Sequence, residues 1–258
     1  MSETFAAMAP RYDVLRPIKS ADRARLQAML RAAGLTADDL VVEVGCGTGR
    51  LTMAMASMTR ARLLGIDNEP RMLAVARAKS GEGRPSSIQW DAGSAYRLPL
   101  GDSQASLVLM SMVVHLLKQR TRAFREAGRI LKPGGCLTIW TFTHPYIDSF
   151  YLNPFFPSIP QIDRARFPDH RVLERELSRA GFSTVTTTIE EQVGEVSLAE
   201  VVDRVRGRYI STLTLLPPLE YRLGLQSLEE KLAEDPGGSL TQRTEWAIVT
   251  GRMPTGPE

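Results

Sequence analysis

Three glycines and one carboxylate at alternate positions form the stretch of this sequence best suited to ligand chemistry: Glu43, Gly45, Gly47 and Gly49. Glycine adopts backbone angles that other residues avoid, and it lets a ligand approach the main chain closely. The segment that starts at Leu51 is predicted to be helical, and a helix start offers unpaired N–H groups and a positive dipole end. The stretch therefore suits a nucleotide-like ligand.

Two familiar nucleotide motifs do not fit this turn. The dinucleotide fingerprint requires glycine or alanine three residues after its second glycine, and that position holds Arg50. The phosphate-binding loop ends in Gly-Lys-Ser or Gly-Lys-Thr, and neither run occurs in the sequence. A purely structural turn between a strand and a helix stays open as the alternative to a binding site.

Asp67 is the second candidate for ligand binding. It ends the predicted strand Ala61–Asp67 and lies 22 residues after Gly45. In a strand–helix–strand unit, this separation brings an acidic side chain onto the hydroxyls of a ribose. Pro70 then stands where the next helix begins. A helix-capping role is the alternative, and ribose binding is favoured.

Alternating strands and helices must position these residues. The predicted strands are Leu40–Val44, Ala61–Asp67, Ser87–Trp90, a fourth from Ala105 that leads into a turn at His115, and Cys136–Phe142; the predicted helices are Leu51–Ala56, Arg71–Lys79 and Lys118–Leu131. This order predicts an α/β fold whose ligands bind beyond the carboxyl ends of the strands. The run Lys132–Gly135 predicts a turn before the fifth strand.

Several motifs together resemble the class I S-adenosylmethionine-dependent methyltransferases, a Rossmann-like family. Glu-x-Gly-x-Gly-x-Gly from Glu43 is similar to motif I of that family, and Met8–Pro17 resembles its entry pattern A-x-x-Y-D-x-x-R-P. Leu98–Asp102 and the run R-I-L-K-P-G-G from Arg129 match two further motifs. The resemblance covers about Phe5 to Phe142 in the correct order. One departure is Ser106, where the family usually has Asp.

The resemblance implies S-adenosylmethionine as cofactor and S-adenosylhomocysteine as product. It implies that Tyr12 and Arg16 cover the methionine end, that Asp67 binds the ribose and that Asp91 binds the adenine amino group. The full set of expected cofactor-binding residues is Tyr12, Arg16, Glu43, Gly45, Cys46, Gly47, Asp67, Asn68, Met72, Asp91, Ala92 and Ser111. No metal site is expected.

The rest of the chain departs from the standard fold. The last two strands are predicted at Ser183–Glu190 and Glu245–Thr250, and they should form a hairpin. About fifty residues stand between them, and a long insertion of this kind is usually functional. We expect an N-terminal helical arm (1–35), a cofactor-binding core (36–142), a helical cap over the acceptor site (143–168 and 191–244), and the remaining core elements (169–190 and 245–253).

The methyl acceptor should lie between the strand ends and this cap. Five aromatic residues in the run from Thr143 to Phe156 suggest an apolar, shape-selective wall. Methyl transfer depends mostly on alignment of the reacting atoms. A base that removes the proton of a hydroxyl acceptor can assist it, and histidine suits that role near neutral pH. His144, or failing it His115, is the candidate because each follows a strand that points at the site, whereas His170 opens a predicted surface helix.

The resemblance therefore implies methyl transfer to a small, largely apolar acceptor. O-methylation, for example in natural-product biosynthesis, is slightly favoured. A non-methylating reaction such as a cyclisation, with the cofactor as scaffold, is one alternative. A binding protein that senses the cofactor is the other.

Composition limits the remaining possibilities. A formal net charge of +3 over 258 residues, with scattered arginines, argues against a nucleic-acid partner. Cys46 and Cys136 show no metal-ligand spacing. The first residues lack the pattern of a signal peptide, and no apolar run is long enough to cross a bilayer. The sequence predicts a cytoplasmic monomer or homodimer without a membrane partner.

Overall fold

The computed structural model describes residues 9–80 and 88–255. The predicted arm residues Phe5–Met8 and Ser87, the first residue of the predicted third strand, lie outside this part of the chain.

Seven strands form one mixed sheet, as the sequence predicts for an α/β fold. They are β1 (Leu40–Val44), β2 (Arg62–Asp67), β3 (Ile88–Ala92), β4 (Ala105–Ser111), β5 (Leu131–Phe142), β6 (Thr184–Ser197) and β7 (Ser239–Arg252). Their order in the sheet is β3-β2-β1-β4-β5-β7-β6. The pairs from β3 through β5 are parallel, whereas β7 pairs antiparallel with both β5 and β6.

Helices cover both faces of this sheet. They are α1 (Tyr12–Leu15), α2 (Ser20–Ala32), α3 (Arg50–Ala56), α4 (Pro70–Lys79), α5 (Arg120–Ile130), α6 (His144–Asp148), α7 (Ile159–Arg166), α8 (His170–Arg179), α9 (Leu198–Arg206) and α10 (Pro218–Glu234). Single 3₁₀ turns occur at Ala9–Arg11, Val114–Leu116 and Ser211–Thr214. The predicted helices after the glycine turn, after Asp67 and before β5 are confirmed.

Strand β1 lies between β2 and β4, and every one of its side chains is buried. Val42 packs in the core with Phe124 of α5 and Leu177 of α8. Val41 packs on the opposite face with Leu26 of α2 and Met55 of α3. An apolar run without polar alternation is typical of a parallel strand that is covered on both faces. The glycine turn follows the carboxyl end of this strand, which is the edge of the sheet where ligands bind.

The hairpin of β6 and β7 is longer than predicted. Both strands continue past the predicted ends, and the ladder closes at the pair Ser197–Ser239. The helical part of the insertion is therefore 198–238, not the whole of 191–244. Gln192 and Gln242, which the sequence assigns to the cap, are strand residues.

The predicted turn at Lys132–Gly135 is part of β5 instead. Leu131 pairs with Ala105, and the register then shifts before Cys136 pairs with Leu107. Gly134 has a φ of 75°, so the run is an irregularity within a strand rather than a separate turn. The proline and glycines do mark a break in the chain, but the break interrupts a strand and does not separate two elements.

Ser106, the departure from the family pattern, has a local explanation. Its hydroxyl donates to Asp39, which also accepts a hydrogen bond of 2.8 Å from the Lys132 ammonium. The Lys132 hydrogen bond holds the pKa of the Asp39 carboxyl well below its usual range. A carboxylate is therefore still present at this end of β4, but a neighbouring loop supplies it.

A second core lies outside the sheet. It joins Leu15 of the arm to Phe150 and Phe156 in the 143–167 segment and to Val202 and Leu213 in the insertion. The arm, this segment and the insertion thus share one apolar cluster. Within the described residues, no helix is long and apolar enough to cross a membrane.

Candidate functional site

The glycine turn after β1 requires glycine for two separate reasons. Gly45, Gly47 and Gly49 all have positive φ, between 56° and 77°. A Cβ at Gly49 would also lie 2.2 Å from a ring carbon of Trp90, and one at Gly45 would lie 2.6 Å from Val113. The turn is therefore fixed both by its backbone angles and by its neighbours.

Asp67 lies beside this turn at the end of β2. Its Oδ2 accepts a hydrogen bond of 2.7 Å from the Gly47 amide, and its Oδ1 accepts one of 2.8 Å from the Glu69 amide. Burial raises the pKa of its carboxyl, against the lowering effect of these amide donors. The carboxylate is oriented by the main chain on both sides and carries no ion-pair partner within the described residues.

A cavity of about 270 Å³ opens between the glycine turn, Asp67 and the turn after β4. We call it the cofactor-side cavity. Seven of the expected cofactor-binding residues line it, namely Tyr12, Gly45, Gly47, Asp67, Asn68, Met72 and Ser111. Five others, Arg16, Glu43, Cys46, Asp91 and Ala92, are not in its wall.

Glu43 is buried beneath the turn instead. It is 3% exposed and accepts a hydrogen bond from the Thr52 hydroxyl of α3. Burial raises the pKa of the Glu43 carboxyl to about 7. Cys46 is also buried, and burial raises the pKa of its thiol. Both side chains support the turn from behind, so their place in the motif does not make them ligand contacts.

Asp91 and Ala92 are exposed residues of β3. The strand runs to Ala92, two residues beyond its predicted end at Trp90, and the loop that reaches the cavity begins only at Gly93. Gly93, Ser94, Ala95 and Tyr96 line the wall where Asp91 and Ala92 were expected. The missed signal is the Gly93-Ser94 pair, a typical strand ending.

The N-terminal arm closes one side of this cavity. Tyr12 is in the wall, and the next residue, Asp13, accepts hydrogen bonds from Thr48 of the glycine turn and from Lys79 of α4. Arg16 donates a hydrogen bond of 3.1 Å to the Tyr12 hydroxyl. Arg16 lines a neighbouring cavity rather than the cofactor-side cavity.

This second cavity, the cap-side cavity, has a volume of about 210 Å³. It meets the first at three shared residues, Tyr12, Ser111 and Met112. Its wall is rich in aromatic rings: Trp140, Phe142, Tyr146, Phe150, Phe167, Tyr209 and Trp246. Of the five aromatic residues expected to form this wall, Tyr146 and Phe150 line the cavity, whereas Tyr151, Phe155 and Phe156 do not. Most of the other rings come from β5 and β7.

The two candidate histidines have different surroundings. His144 does not line the cap-side cavity, and its Nε2 atom lies 2.8 Å from the Phe167 carbonyl oxygen. His115 does line it, with its ring stacked on Phe167 at 4.1 Å between centroids. Burial, followed by the positive charges of Arg166 and Arg16, lowers the pKa of His115 well below its ordinary value. The preferred candidate therefore lies outside the cavity, and the second lies in its wall as a neutral imidazole.

The same cavity holds a carboxylate that no sequence motif predicts. Asp163 of α7 lines the wall and is 8% exposed. Thr212 of the insertion donates to it at 2.8 Å, and Arg166 lies 3.3 Å from the same oxygen. No local motif marks this residue, because its partner Thr212 is 49 positions away in the sequence.

Comparisons with known proteins agree with this geometry. A family described as a methyltransferase domain matches residues 42–139. The ubiquinone/menaquinone biosynthesis C-methyltransferase UbiE of Rubrivivax gelatinosus is 30% identical over 204 residues, which cover 70% of this chain and 78% of that protein.

Two solved structures share the fold. One is a Bacillus halodurans protein described as a "putative methyltransferase", with a TM-score of 0.63, 20% identity, and coverage of 92% of this chain and 100% of that one. The other is phosphoethanolamine N-methyltransferase 2 of Haemonchus contortus, crystallised with S-adenosylhomocysteine. It has a TM-score of 0.56, 17% identity, and coverage of 90% of this chain and 53% of that one.

Proposed function

This chain belongs to the class I S-adenosylmethionine-dependent methyltransferases, and we propose that it methylates a ring carbon of a small hydroxylated aromatic acceptor of the quinol type. The quinol class comes from the activities of relatives, which include a C-methyltransferase of ubiquinone and menaquinone biosynthesis and a demethylmenaquinone methyltransferase. This proposal replaces the preference for O-methylation that the sequence alone suggests.

One observation carries the proposal beyond the family assignment. The cofactor-side and cap-side cavities meet at Tyr12, Ser111 and Met112. A donor in one cavity and an acceptor in the other would therefore meet at these residues. Methyl transfer is a displacement in which alignment of the reacting atoms supplies much of the rate enhancement, and two adjoining cavities suit that requirement.

The residues of the cofactor-side cavity fit S-adenosylmethionine. Gly45 and Gly47 lack the Cβ atoms that would narrow the approach to the main chain. Asp67 offers carboxylate oxygens to a pair of ribose hydroxyls, and Ser94 and Tyr96 line the cavity beyond it. When bound, this cofactor supplies an electrophilic methyl group on a sulfonium sulfur.

The cap-side cavity fits an aromatic acceptor. Its rings offer flat apolar surfaces, and aromatic pairs contribute beyond the area that they bury. Polar groups among these rings, including Arg16, Asp163 and Ser211, can orient hydroxyl groups on the acceptor. We propose that α7, α9, α10 and the 143–167 segment form the cap over this acceptor and that the arm closes over the cofactor.

The proposal is tested with 1,4-dihydroxynaphthalene, a quinol without the ring methyl group. The protein is incubated anaerobically with this compound and S-adenosylmethionine, and products are separated and identified by mass spectrometry and NMR. We expect one added methyl group on the ring carbon next to a hydroxyl. A methyl ether would assign O-methylation instead. Absence of any product, from protein that binds S-adenosylhomocysteine in calorimetry, would overturn the quinol assignment.

A further inference from the structure

Asp163 is a buried carboxylate with unused hydrogen-bonding capacity. It lies on α7 in the wall of the cap-side cavity, and its side chain is 11% exposed. An ionised carboxylate accepts about four hydrogen bonds. Thr212 has one hydroxyl hydrogen to give, although it lies within 3.0 Å of both carboxylate oxygens. Arg166 adds one contact at 3.3 Å.

These two partners leave acceptor positions free. Within residues 9–80 and 88–255, Thr212 and Arg166 together supply fewer hydrogen bonds than the carboxylate can accept. A buried polar group that lacks hydrogen bonds is costly in free energy. A hydroxyl group on a ligand in the cavity would satisfy the remaining positions. The carboxylate is thus placed to meet a hydroxylated acceptor.

We propose that Asp163 is the catalytic base that removes the hydroxyl proton of the acceptor; this assignment rests on the proposed function. The acceptor O–H bond breaks, the proton bonds to a carboxylate oxygen, and the electron pair stays on the acceptor as an oxyanion that enriches the neighbouring ring carbon. With the cofactor bound, the new bond from this carbon to the methyl group would replace the methyl–sulfur bond, whose electron pair would stay on sulfur. The C–H proton of the methylated carbon then leaves to water, and Asp163 returns the first proton to the oxygen. One proton is released per turnover.

The surrounding charges suit this step. Burial raises the pKa of Asp163, despite the lowering effect of Thr212 and Arg166, and a base with a higher pKa removes a hydroxyl proton more readily. Arg16 also faces this cavity and forms no ion pair among the described residues, so its cation can stabilise the oxyanion. Burial keeps the pKa of Tyr146 well above its ordinary value. The charge of Asp163 also raises this pKa, whereas the charge of Arg16 lowers it.

His115 is less suited to the same role. Its ring is stacked on Phe167 with 4.1 Å between centroids, although its buried Nδ1 atom has no hydrogen-bond partner within the described residues. The positive charges of Arg166 and Arg16 further oppose its protonation. Asp163 thus combines access to the cavity with a raised affinity for a proton.

A binding experiment tests the contact without turnover. Trp140 and Trp246 in the wall serve as fluorescent reporters for 1-naphthol and for 1-methylnaphthalene, which has a methyl group in place of the hydroxyl. With S-adenosylhomocysteine present, wild-type protein should bind 1-naphthol at least about tenfold more tightly, since a hydrogen bond to a charged group has about that effect. Asp163→Asn should reduce this preference to about twofold or less. Equal preference in the two proteins would overturn the assignment.

Kinetics with 1,4-dihydroxynaphthalene supply a second readout. In wild-type protein, kcat/KM should rise with pH as Asp163 loses its proton, and Asp163→Asn should lower kcat at least about a hundredfold and remove this acidic limb. Thr212→Val keeps the carboxylate but removes a donor that lowers its pKa, so the limb should move to higher pH with a similar plateau. Asn can still accept the Thr212 hydrogen bond, which preserves the fold.

The two proposals fail in different ways. Wild-type protein that methylates the quinol, together with Asp163→Asn protein of unchanged rate and pH profile, would overturn only the role of Asp163. Wild-type protein that neither binds 1-naphthol nor methylates the quinol would overturn the proposed acceptor class, and the base assignment with it.

Discussion

The Oδ1 atom of Asp13 accepts a hydrogen bond of 2.5 Å from the Thr48 hydroxyl, although 35 positions separate the two residues. Thr48 is a buried member of the glycine turn. The other oxygen of Asp13 accepts a hydrogen bond from Lys79 at the end of α4. One carboxylate thus ties the arm to both elements beside the cofactor-side cavity, and it holds Tyr12 in the wall.

Asp13→Ala should therefore weaken binding of S-adenosylhomocysteine about three- to tenfold, because the arm loses two anchors that are partly exposed and hence modest in strength. Calorimetry measures the affinity, and hydrogen exchange of residues 9–19 measures closure of the arm. Val14→Ala is the matched control, since Val14 is 74% exposed on the same arm. Equal affinities for the two variants would contradict the role of Asp13 in holding the arm against the cofactor-side cavity.

Asp67→Ala should weaken S-adenosylhomocysteine binding by about 1–3 kcal/mol, because it removes the proposed acceptor of the ribose hydroxyl hydrogen bonds. Asp91→Ala is the control, because the family resemblance assigns this residue to the adenine whereas the structure places it outside the cavity wall. Asp91 is exposed and outside the cavity wall, so its removal should change the affinity less than about twofold. If calorimetry shows the larger loss for Asp91→Ala, the cavity has been assigned to the wrong residues.

The pKa of Glu43, about 7 in the fold against 4.5 for the free side chain, predicts a pH-dependent stability. Between these values the folded chain holds a proton that the unfolded chain has released. The contribution of this group is fully present below pH 4.5, and the free energy of unfolding should fall by roughly 3 kcal/mol as pH rises to about 7.

Glu43→Gln should flatten this slope, because glutamine accepts the Thr52 hydrogen bond without carrying a charge. Urea unfolding from about pH 5 to 8 measures it, with Glu230→Gln on the exposed side of α10 as control. A slope in Glu43→Gln as steep as in the wild-type protein would assign the pH dependence to other groups.

Gly49→Ala should lower the free energy of unfolding by at least about 3 kcal/mol, since it adds a steric clash to an unfavourable φ. Gly34→Ala isolates the cost of the unfavourable φ. Gly34 has a similar φ of 62°, but a Cβ added there would meet no atom within 4 Å, so its cost should be about 1 kcal/mol. Chemical unfolding compares the two variants, and similar losses would mean that Trp90 yields to the added methyl group.

His115→Leu should raise the KM for the quinol several-fold through loss of the stacked wall against Phe167, without displacing the pH profile. His144→Gln should leave both KM and kcat within about twofold, because its imidazole contacts the Phe167 carbonyl outside the cavity. Steady-state kinetics across pH separates the two variants. A lost pH limb in His115→Leu would return the role of base to that histidine.

The parts of the site that the sequence predicts are those set by short-range geometry. A buried strand, a glycine turn and an acid 22 residues later belong to one strand–helix–strand unit, so their types and spacing place Gly47 and Asp67 together. Their contact is present at 2.7 Å. The place of His115 in the cavity wall follows in the same way, because this residue comes just after the end of β4.

The parts that the sequence misses depend on distant segments or on where a strand ends. Asp163 becomes a site residue only because Thr212 of the insertion packs beside it. The family resemblance assigns Asp91 to the adenine, but β3 continues to Ala92, two residues beyond its predicted end, and the loop at Ser94 lines the cavity instead. Pairing between two polar strands, as at Ser197 and Ser239, has no local signal either.

The pair Ser197–Ser239 closes the β6–β7 hairpin, and it determines how the segment inserted between these two residues can vary. The chain leaves the sheet at Ser197 and returns at Ser239, and these residues are direct partners in the ladder. Residues 198–238 are thus inserted between two neighbouring points, so this segment can be exchanged for one of another length without moving the strands. Because the insertion shares its apolar cluster with the arm and the 143–167 segment, new acceptor preferences would require matched changes in those two parts, while the glycine turn and Asp67 stay untouched.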